Sequence, residues 1–275
     1  MQRKAVKSAM RTFEVLELFA EQRRPLSLHE IYTSLGYPQS STTNLLKSMV
    51  LMGYLNYSRG KRTYQPTMKL NVVGGWVAGY LHSQGGFREL VDELQRRTDE
   101  TVGLCTQNDL FLQYFFLKPP EHEFKNVPPD GTMRLLVDSA GGLAMMSRMS
   151  NRAIDNLCRY TNHYEMGSER ISTEKVMKEI EWIRRVGYCH APKHPTPDVS
   201  TICIALDADL HGIPLAIGVG GLASRIDRRK IEIVQIMREL ISEYAARHAA
   251  DHPPFDAPPV GDDEAHHQIA VSASR

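Results

Sequence analysis

The order of apolar and polar positions over the first 65 residues predicts two short helices followed by a hairpin. Leu28, Ile31 and Leu35 give one helix an apolar face; Ser27 and Glu30 open it as an S-x-x-E capping box, and Gly36 ends it. Pro38 then stands where a second helix can begin, since its fixed φ and missing N–H cost little in a first turn. That helix has a polar front, Gln39-Ser40-Ser41-Thr42-Thr43-Asn44, and an apolar back of Leu45, Leu46, Met49 and Val50. Gly53 to Tyr57 alternates as a strand, Ser58 to Lys61 turns, and Arg62 to Tyr64 returns. Helix, turn, helix and basic hairpin in this order predict a winged helix-turn-helix over residues 1–66. Short donor–acceptor side chains at a helix start suit the major groove, where base edges differ in hydrogen-bond pattern. Gln39, Ser41, Thr42, Thr43 and Asn44 are therefore expected to face bases, with Ser40 or Lys47 on phosphate. Arg59, Lys61 and Arg62, at the wing tip, are expected on the backbone or in the minor groove.

Residues 67–86 form a different pattern. Met68, Leu70, Val73, Trp76, Val77 and Tyr80 recur at near-helical spacing, interrupted by Gly74, Gly75 and Gly79. Each glycine costs about 1 kcal/mol in a helix interior relative to alanine. The stretch reads as a linker helix packed closely against a second copy of the chain, or as a core helix with a glycine kink. Beyond it, residues 87–248 alternate helical and strand patterns. Helices are expected at 87–98, 151–159, 172–186 and 226–248, and strands at 101–106, 110–116, 132–137, 199–206 and 214–219. In the last helix Ile231, Val234, Met237, Leu240, Ile241 and Tyr244 are expected to point inward. A sheet with helices on its faces, not in strict β-α-β order, argues an α+β fold. Residues 249–275 are rich in proline and acid and read as a disordered tail.

Charge sharpens the division. Residues 1–65 hold ten Lys and Arg against four Glu, a balance of +6, whereas the whole chain totals +1. A cationic end suited to phosphate is thus joined to an anionic remainder. The 275 residues suit two modest domains, and no apolar run approaches the ~20 residues that span a bilayer. Glu14, Glu17 and Glu21 interrupt the N-terminal stretch, which is therefore not a secretory leader. Cys105, Cys158, Cys189 and Cys203 lack any C-x-x-C pair and read as free thiols in a reducing cytoplasm.

The order AVKSAMRTFEVLELFAEQRRPLSLHEIYTSLGYPQSSTTNLLKSMVLMGYL resembles the N-terminal domain of the IclR family of bacterial transcriptional regulators. The likeness continues through LVDELQRRTDETVGL, RLLVDSAGGLAMM, IEWIRRVGYC and TICIALDADLHGIPLAIGVGG, and so covers about residues 5–248. It implies double-stranded operator DNA as a partner, a GAF-like effector-binding domain, and assembly as a homodimer or tetramer. It also implies an effector cavity between the sheet and the helix starting at Ala140, with Met133, Ser139, Ala140, His190, Thr201, Gly218 and Gly220 as candidate lining. Relatives that sense small carboxylates carry two hydroxyls on the strand matching 214–220, where this chain has Gly218 and Gly220. A carboxyl-orienting acid of that pattern matches Ala191 here, and a thiol matches Thr201. With that clamp largely missing, the cavity is expected to be larger and less polar, although the helix-start amides at Ser139-Ala140 remain. An aromatic or larger organic acid is then favoured over a two- or three-carbon acid. The alternative is a second domain that only dimerises or binds protein, with no effector.

Other chemistry is thin. The chain has no G-x-S-x-G, no H-E-x-x-H and no glycine-rich phosphate loop, and GVGG at 218–221 lacks a following βαβ unit. Nothing points to an enzyme, a cofactor or a membrane partner. Cys189, His190, His194 and Asp198 carry metal-binding donors, but Pro192, Pro195 and Pro197 favour an irregular loop. No metal site is assigned.

Overall fold

The computed structural model describes residues 6–75, 87–123, 126–164, 166–167, 169–192, 196–210 and 213–248. The N-terminal unit runs α1 (Lys7–Gln22), β1 (Leu26–Ser27), α2 (Leu28–Leu35), α3 (Gln39–Leu51), β2 (Leu55–Ser58) and β3 (Thr63–Pro66). Its core joins Val15 and Phe19 of α1, Ile31 of α2 and Leu46 and Met49 of α3 with Leu55 and Tyr64 of the hairpin. The capping box at α2 is complete. Ser27 Oγ accepts from the Glu30 amide, and the Glu30 carboxylate accepts from the Ser27 amide at 2.8 Å. These bonds, led by the backbone one and joined by Arg24, hold the Glu30 carboxyl down at about 2. Gly36 ends α2 at φ 67, a left-handed conformation that side chains with a Cβ resist. Gly53, read as strand from the sequence, instead turns the chain out of α3 at φ 78, so the strand begins two residues later. The two-residue β1 pairs with β3 and widens the wing into a three-stranded sheet, β1-β3-β2.

Residues 69–75 are helical (α4), with Met68, Val72 and Val73 exposed. Trp76, Val77 and Tyr80 of the expected linker stripe, and the whole of 249–275, lie outside the described residues. The second unit holds α5 (Phe87–Thr98), β4 (Thr101–Asn108), β5 (Phe111–Lys118) and β6 (Met133–Leu135), then α6 (Ala140–Met146), α7 (Asn151–His163) and α8 (Thr173–Val186), and finally β7 (Cys189–Ala191), β8 (Val199–Leu210), β9 (Ile213–Leu222) and α9 (Ala223–His248). All six strands form one antiparallel sheet in the order β6-β5-β4-β9-β8-β7.

Strand alternation sorts side chains between two cores. Val102, Leu104, Ile202, Ile217 and Val219 meet α5 and α9 on one face. Cys105, Leu112, Cys203 and Ala216 meet α6, α7 and α8 on the other. A bulge in the pairing of β4 with β5 adds one residue between Tyr114, opposite Cys105, and Phe116, opposite Leu104. Phe115 and Phe116 thus both join the α5/α9 core. Glu100, buried at the start of β4, takes two hydrogen bonds of 2.8 Å from Arg225 of α9 and ties that helix to the sheet. Two expectations fail here. Ile231 is 72% exposed instead of inward, because the apolar face of α9 passes through Ile226, Ile233, Val234, Met237 and Leu240. Residues 189–191 form an edge strand on β8 instead of an irregular loop.

Candidate functional site

On helix α3 the side chains expected to read bases are solvent-accessible, with one exception. Gln39, Ser40, Asn44 and Lys47 are exposed, and Ser41 and Thr43 are half-buried. Thr42 is 1% exposed and packs into the core, with its hydroxyl donating to the Pro38 carbonyl at 3.1 Å. The sequence placed it on the polar front, yet at 100° per residue position 42 falls on the same side as Leu46 and Met49. Ser41 and Thr43 donate their hydroxyl protons back to the carbonyls of Pro38 and Gln39, leaving oxygen lone pairs outward. No side chain caps the first turn of α3. The Arg11 guanidinium of α1 lies 4.5 Å over the Tyr37 ring in the turn before α3. Arg11 thus brings a cation beside α3, a placement the sequence did not show because Arg11 belongs to α1. Arg59, Lys61 and Arg62 are exposed in the wing turn, where Arg62 adopts φ 54.

In the second unit a cavity of ≈ 70 Å³ opens on the α6 side of the sheet. Its floor is the pairing row Gly103–Gly218–Cys203 and the row Thr101–Gly220–Thr201. Tyr114 and Leu117 of β5, Arg134 of β6, Asn126, Pro128, Thr196 and Val199 complete the lining. Burial raises the Tyr114 hydroxyl above its ordinary value, so it stays a neutral donor. Burial likewise raises the Cys105 and Cys203 thiols, which are inert packing groups here.

Of the seven candidate lining residues, the structure brings Thr201, Gly218 and Gly220 together and separates the rest. Met133 is 44% exposed on β6, and alternation instead puts its neighbour Arg134 on the cavity wall. His190 pairs in register with Ile202, so its ring faces α9, where its Nε2 lies 2.9 Å from Asp227. Cys189, the next residue, faces the opposite core; the two therefore cannot ligate one metal, and His194 lies outside the described residues. Ser139 and Ala140 are buried and do not line the cavity. The Ser139 hydroxyl accepts from the Gly142 amide and donates to the Leu136 carbonyl, which occupies one of the helix-start amides. Gly218 does not enlarge the cavity: a Cβ there would lie 2.7 Å from Cys203 Sγ, which already fills the space. At Gly220 a Cβ would come no nearer than 3.4 Å to Thr201 Oγ1 and 3.8 Å to Ser200 O and Thr201 Cγ2, ordinary contact distances, so of the two this glycine leaves room. Both glycines have ordinary φ, since neither is among the left-handed positions.

Residues 8–59 match the IclR helix-turn-helix domain, and residues 84–246 match the bacterial transcriptional regulator IclR C-terminal domain. The chain belongs to the IclR family. It is 31% identical over 99 residues to the HTH-type transcriptional regulator XynR of Escherichia coli (strain K12), a match covering 36% of this chain and 39% of that protein. The similarity therefore spans about two fifths of that relative's length. Thermotoga maritima IclR superposes with a TM-score of 0.67 at 17% identity, over 88% of this chain and 98% of that one. An IclR homologue from Microbacterium hydrocarbonoxydans, solved in complex with 4-hydroxybenzoate, superposes at 0.66 with 16% identity, over 88% and 99%. These IclR structures share the fold: a helix-turn-helix unit followed by a curled sheet with helices. No helix among the described residues is long and apolar enough to cross a membrane.

Proposed function

We propose that this chain is a sequence-specific DNA-binding transcriptional regulator, acting in the cytoplasm on a double-stranded operator. The observation that carries this reading is the solvent-facing set Gln39, Ser40, Asn44 and Lys47 on a helix whose opposite side is locked in the core. Gln and Asn side chains can bridge adenine bidentately, and lysine neutralises phosphate. The exposed wing cations lie on the adjacent hairpin. A homodimer or tetramer is supported by apolar side chains exposed on a single chain: Val6, Met10 and Phe13 along α1, and Met68, Val72 and Val73 at α4. Footprinting on DNA upstream of the chain's own gene tests the reading. Protection by the wild type and its loss with Gln39→Ala/Asn44→Ala support it; equal binding to random DNA removes it.

The second domain holds a small organic effector in the Gly220 cavity. An aromatic or larger organic acid fits better than a two- or three-carbon acid, because hydroxyls that would clamp a small carboxylate are absent at 218 and 220. The 4-hydroxybenzoate complex of the Microbacterium relative supports this class. The cavity, at ≈ 70 Å³, is well below the ~300 Å³ at which common ligand pockets begin and smaller than the enlarged one expected from the missing hydroxyls, so a ring acid requires the lining to move apart. Gly220→Leu is expected to abolish effector response while preserving dimerisation and DNA binding.

A further inference from the structure

A helix cannot satisfy its last carbonyls from within, and at the end of α3 the start of α4 takes them. Gly53, left-handed at φ 78, closes α3: its amide donates to the Val50 carbonyl and the Tyr54 amide to that of Met49, both at 2.9 Å. The carbonyls of three consecutive residues, Met52, Gly53 and Tyr54, then accept from two residues of the linker. Lys69 Nζ donates to Met52 at 2.7 Å, the Thr67 hydroxyl to Gly53 at 2.6 Å and the Thr67 amide to Tyr54 at 3.0 Å. The Lys69 ammonium also lies 4.8 Å from the centre of the Tyr54 ring, and a cation suits the negative end of the α3 dipole. The same Thr67 hydroxyl accepts from the Lys69 amide at 3.2 Å, so it caps α4 while it holds α3. Apart from this clasp, α4 has little hold on the N-terminal unit. None of its described residues joins the core around Val15, Ile31 and Leu46, and Met68, Val72 and Val73 stand exposed.

We propose that Thr67 and Lys69 are positioning residues that join α4 to the helix proposed to read DNA, so that α3 and α4 turn as one body and the linker sets the spacing of two α3 helices on an operator. This assignment rests on the DNA-binding and homodimer readings above. Neither residue touches DNA in it; each acts through the C-terminal end of α3. Two copies joined through the exposed apolar side chains of α1 and α4 then hold their α3 helices at one separation and one rotation. A flexible joint at 52–54 would instead let each copy find its half-site independently, at the cost of the ordering that a fixed joint provides beforehand.

Fluorescence anisotropy of the full chain tests the clasp on three kinds of duplex: the footprinted upstream site, versions with its two half-sites moved apart by one to four base pairs, and a single half-site. Two added base pairs turn a half-site by about 70° around the duplex axis, so the wild type is expected to lose about tenfold or more in affinity there. Thr67→Val/Lys69→Met keeps the side-chain bulk and removes both side-chain donors. It should cut that penalty to about threefold or less and leave the single half-site within about twofold of the wild type. Thr67→Ser/Lys69→Arg, which retains a hydroxyl and a cation, should restore the penalty. Sedimentation is expected to show one assembly size for all three proteins. A penalty unchanged in Thr67→Val/Lys69→Met overturns the clasp and leaves the DNA reading standing. An equal loss on every duplex, as a merely structural role would give, overturns it in the same way. Loss of the dimer in that variant would put the two residues in the contact between copies and likewise overturn it. So would a wild type that binds all spacings alike, whereas a wild type that binds no duplex removes the DNA reading as well.

Discussion

The two units of this chain differ in how far apart in sequence their working residues lie. In the N-terminal unit the face proposed to read DNA runs one helix turn after another, Gln39 to Lys47, positioned by a cap at Ser27, a left-handed glycine at Gly36 and a proline at 38. In the second unit the cavity draws on β4, β5, β6, β8 and β9, and its floor exists only because Gly103, Gly218 and Cys203 sit side by side in register. A site built from local spacing announces itself in a sequence. One built from cross-strand neighbours requires the register, and a shift of one residue sends every side chain to the other face.

The largest test of this contrast is the bond between Glu100 and Arg225, 125 residues apart. Arg225→Leu leaves the Glu100 carboxylate buried without its cation, and breaking a buried pair from one side costs about 3–5 kcal/mol. Arg225 itself is one-third exposed, so water relieves part of that and a loss near ~3 kcal/mol is expected in urea unfolding of the full chain. An unchanged unfolding midpoint would mean that α9 is held by its apolar face alone.

A smaller effect separates the exposed and buried members of α3. Gln39→Ala or Asn44→Ala should each weaken cognate DNA by about 1–3 kcal/mol and random DNA little, as read by fluorescence anisotropy. Thr42→Val, shaped alike and facing the core, should leave both affinities nearly unchanged. If Thr42→Val proved as damaging as Asn44→Ala, α3 would read through its packing and not through its polar front.

The wing gives a third measurement. Alanine at Arg59, Lys61 and Arg62 together should lower the slope of log affinity against log salt by roughly 0.9 for each phosphate contact removed. A slope equal to that of the wild type would leave the three cations as solvated turn residues.

The smallest effect belongs to the cap of α2. Ser27→Ala should cost about 1 kcal/mol, and acid should act on the same bonds. The Glu30 carboxyl lies at about 2 in the folded chain against an ordinary 4.5, so its contribution is complete above 4.5 and fades as the pH falls towards 2. Amide exchange at Ser27 and Glu30, followed by NMR across that window, should quicken before the rest of the unit unfolds. Exchange that stays flat down to pH 2 would show that the cap does not guard this helix.

Much of the helical framework was legible: α5 lies at 87–98, where the period placed it, and α2 starts at its capping box. Strand ends were missed where a bulge or an edge strand intervened, as at Phe115 and at Cys189–Ala191. In the cavity Thr201, Gly218 and Gly220 were legible from resemblance, whereas Arg134 was missed by a single position in favour of Met133. On a three-residue strand, apolarity cannot tell which residue faces in; only pairing with Leu112 does. Thr101 gave no signal at all, since an unpartnered hydroxyl is defined by what fails to approach it.

By itself the sequence determined the two-unit division, the charge asymmetry, the helix ends and the polar front of α3, because caps, turns and periodicity act over a few residues. Tertiary structure decided that Thr42 is core, that His190 turns from the cavity towards Asp227, and that Gly218 makes room for Cys203 while Gly220 leaves space open. Those outcomes depend on which strand lies beside which, and sheet order is fixed by contacts between residues as much as about a hundred positions apart, a distance that no local pattern records.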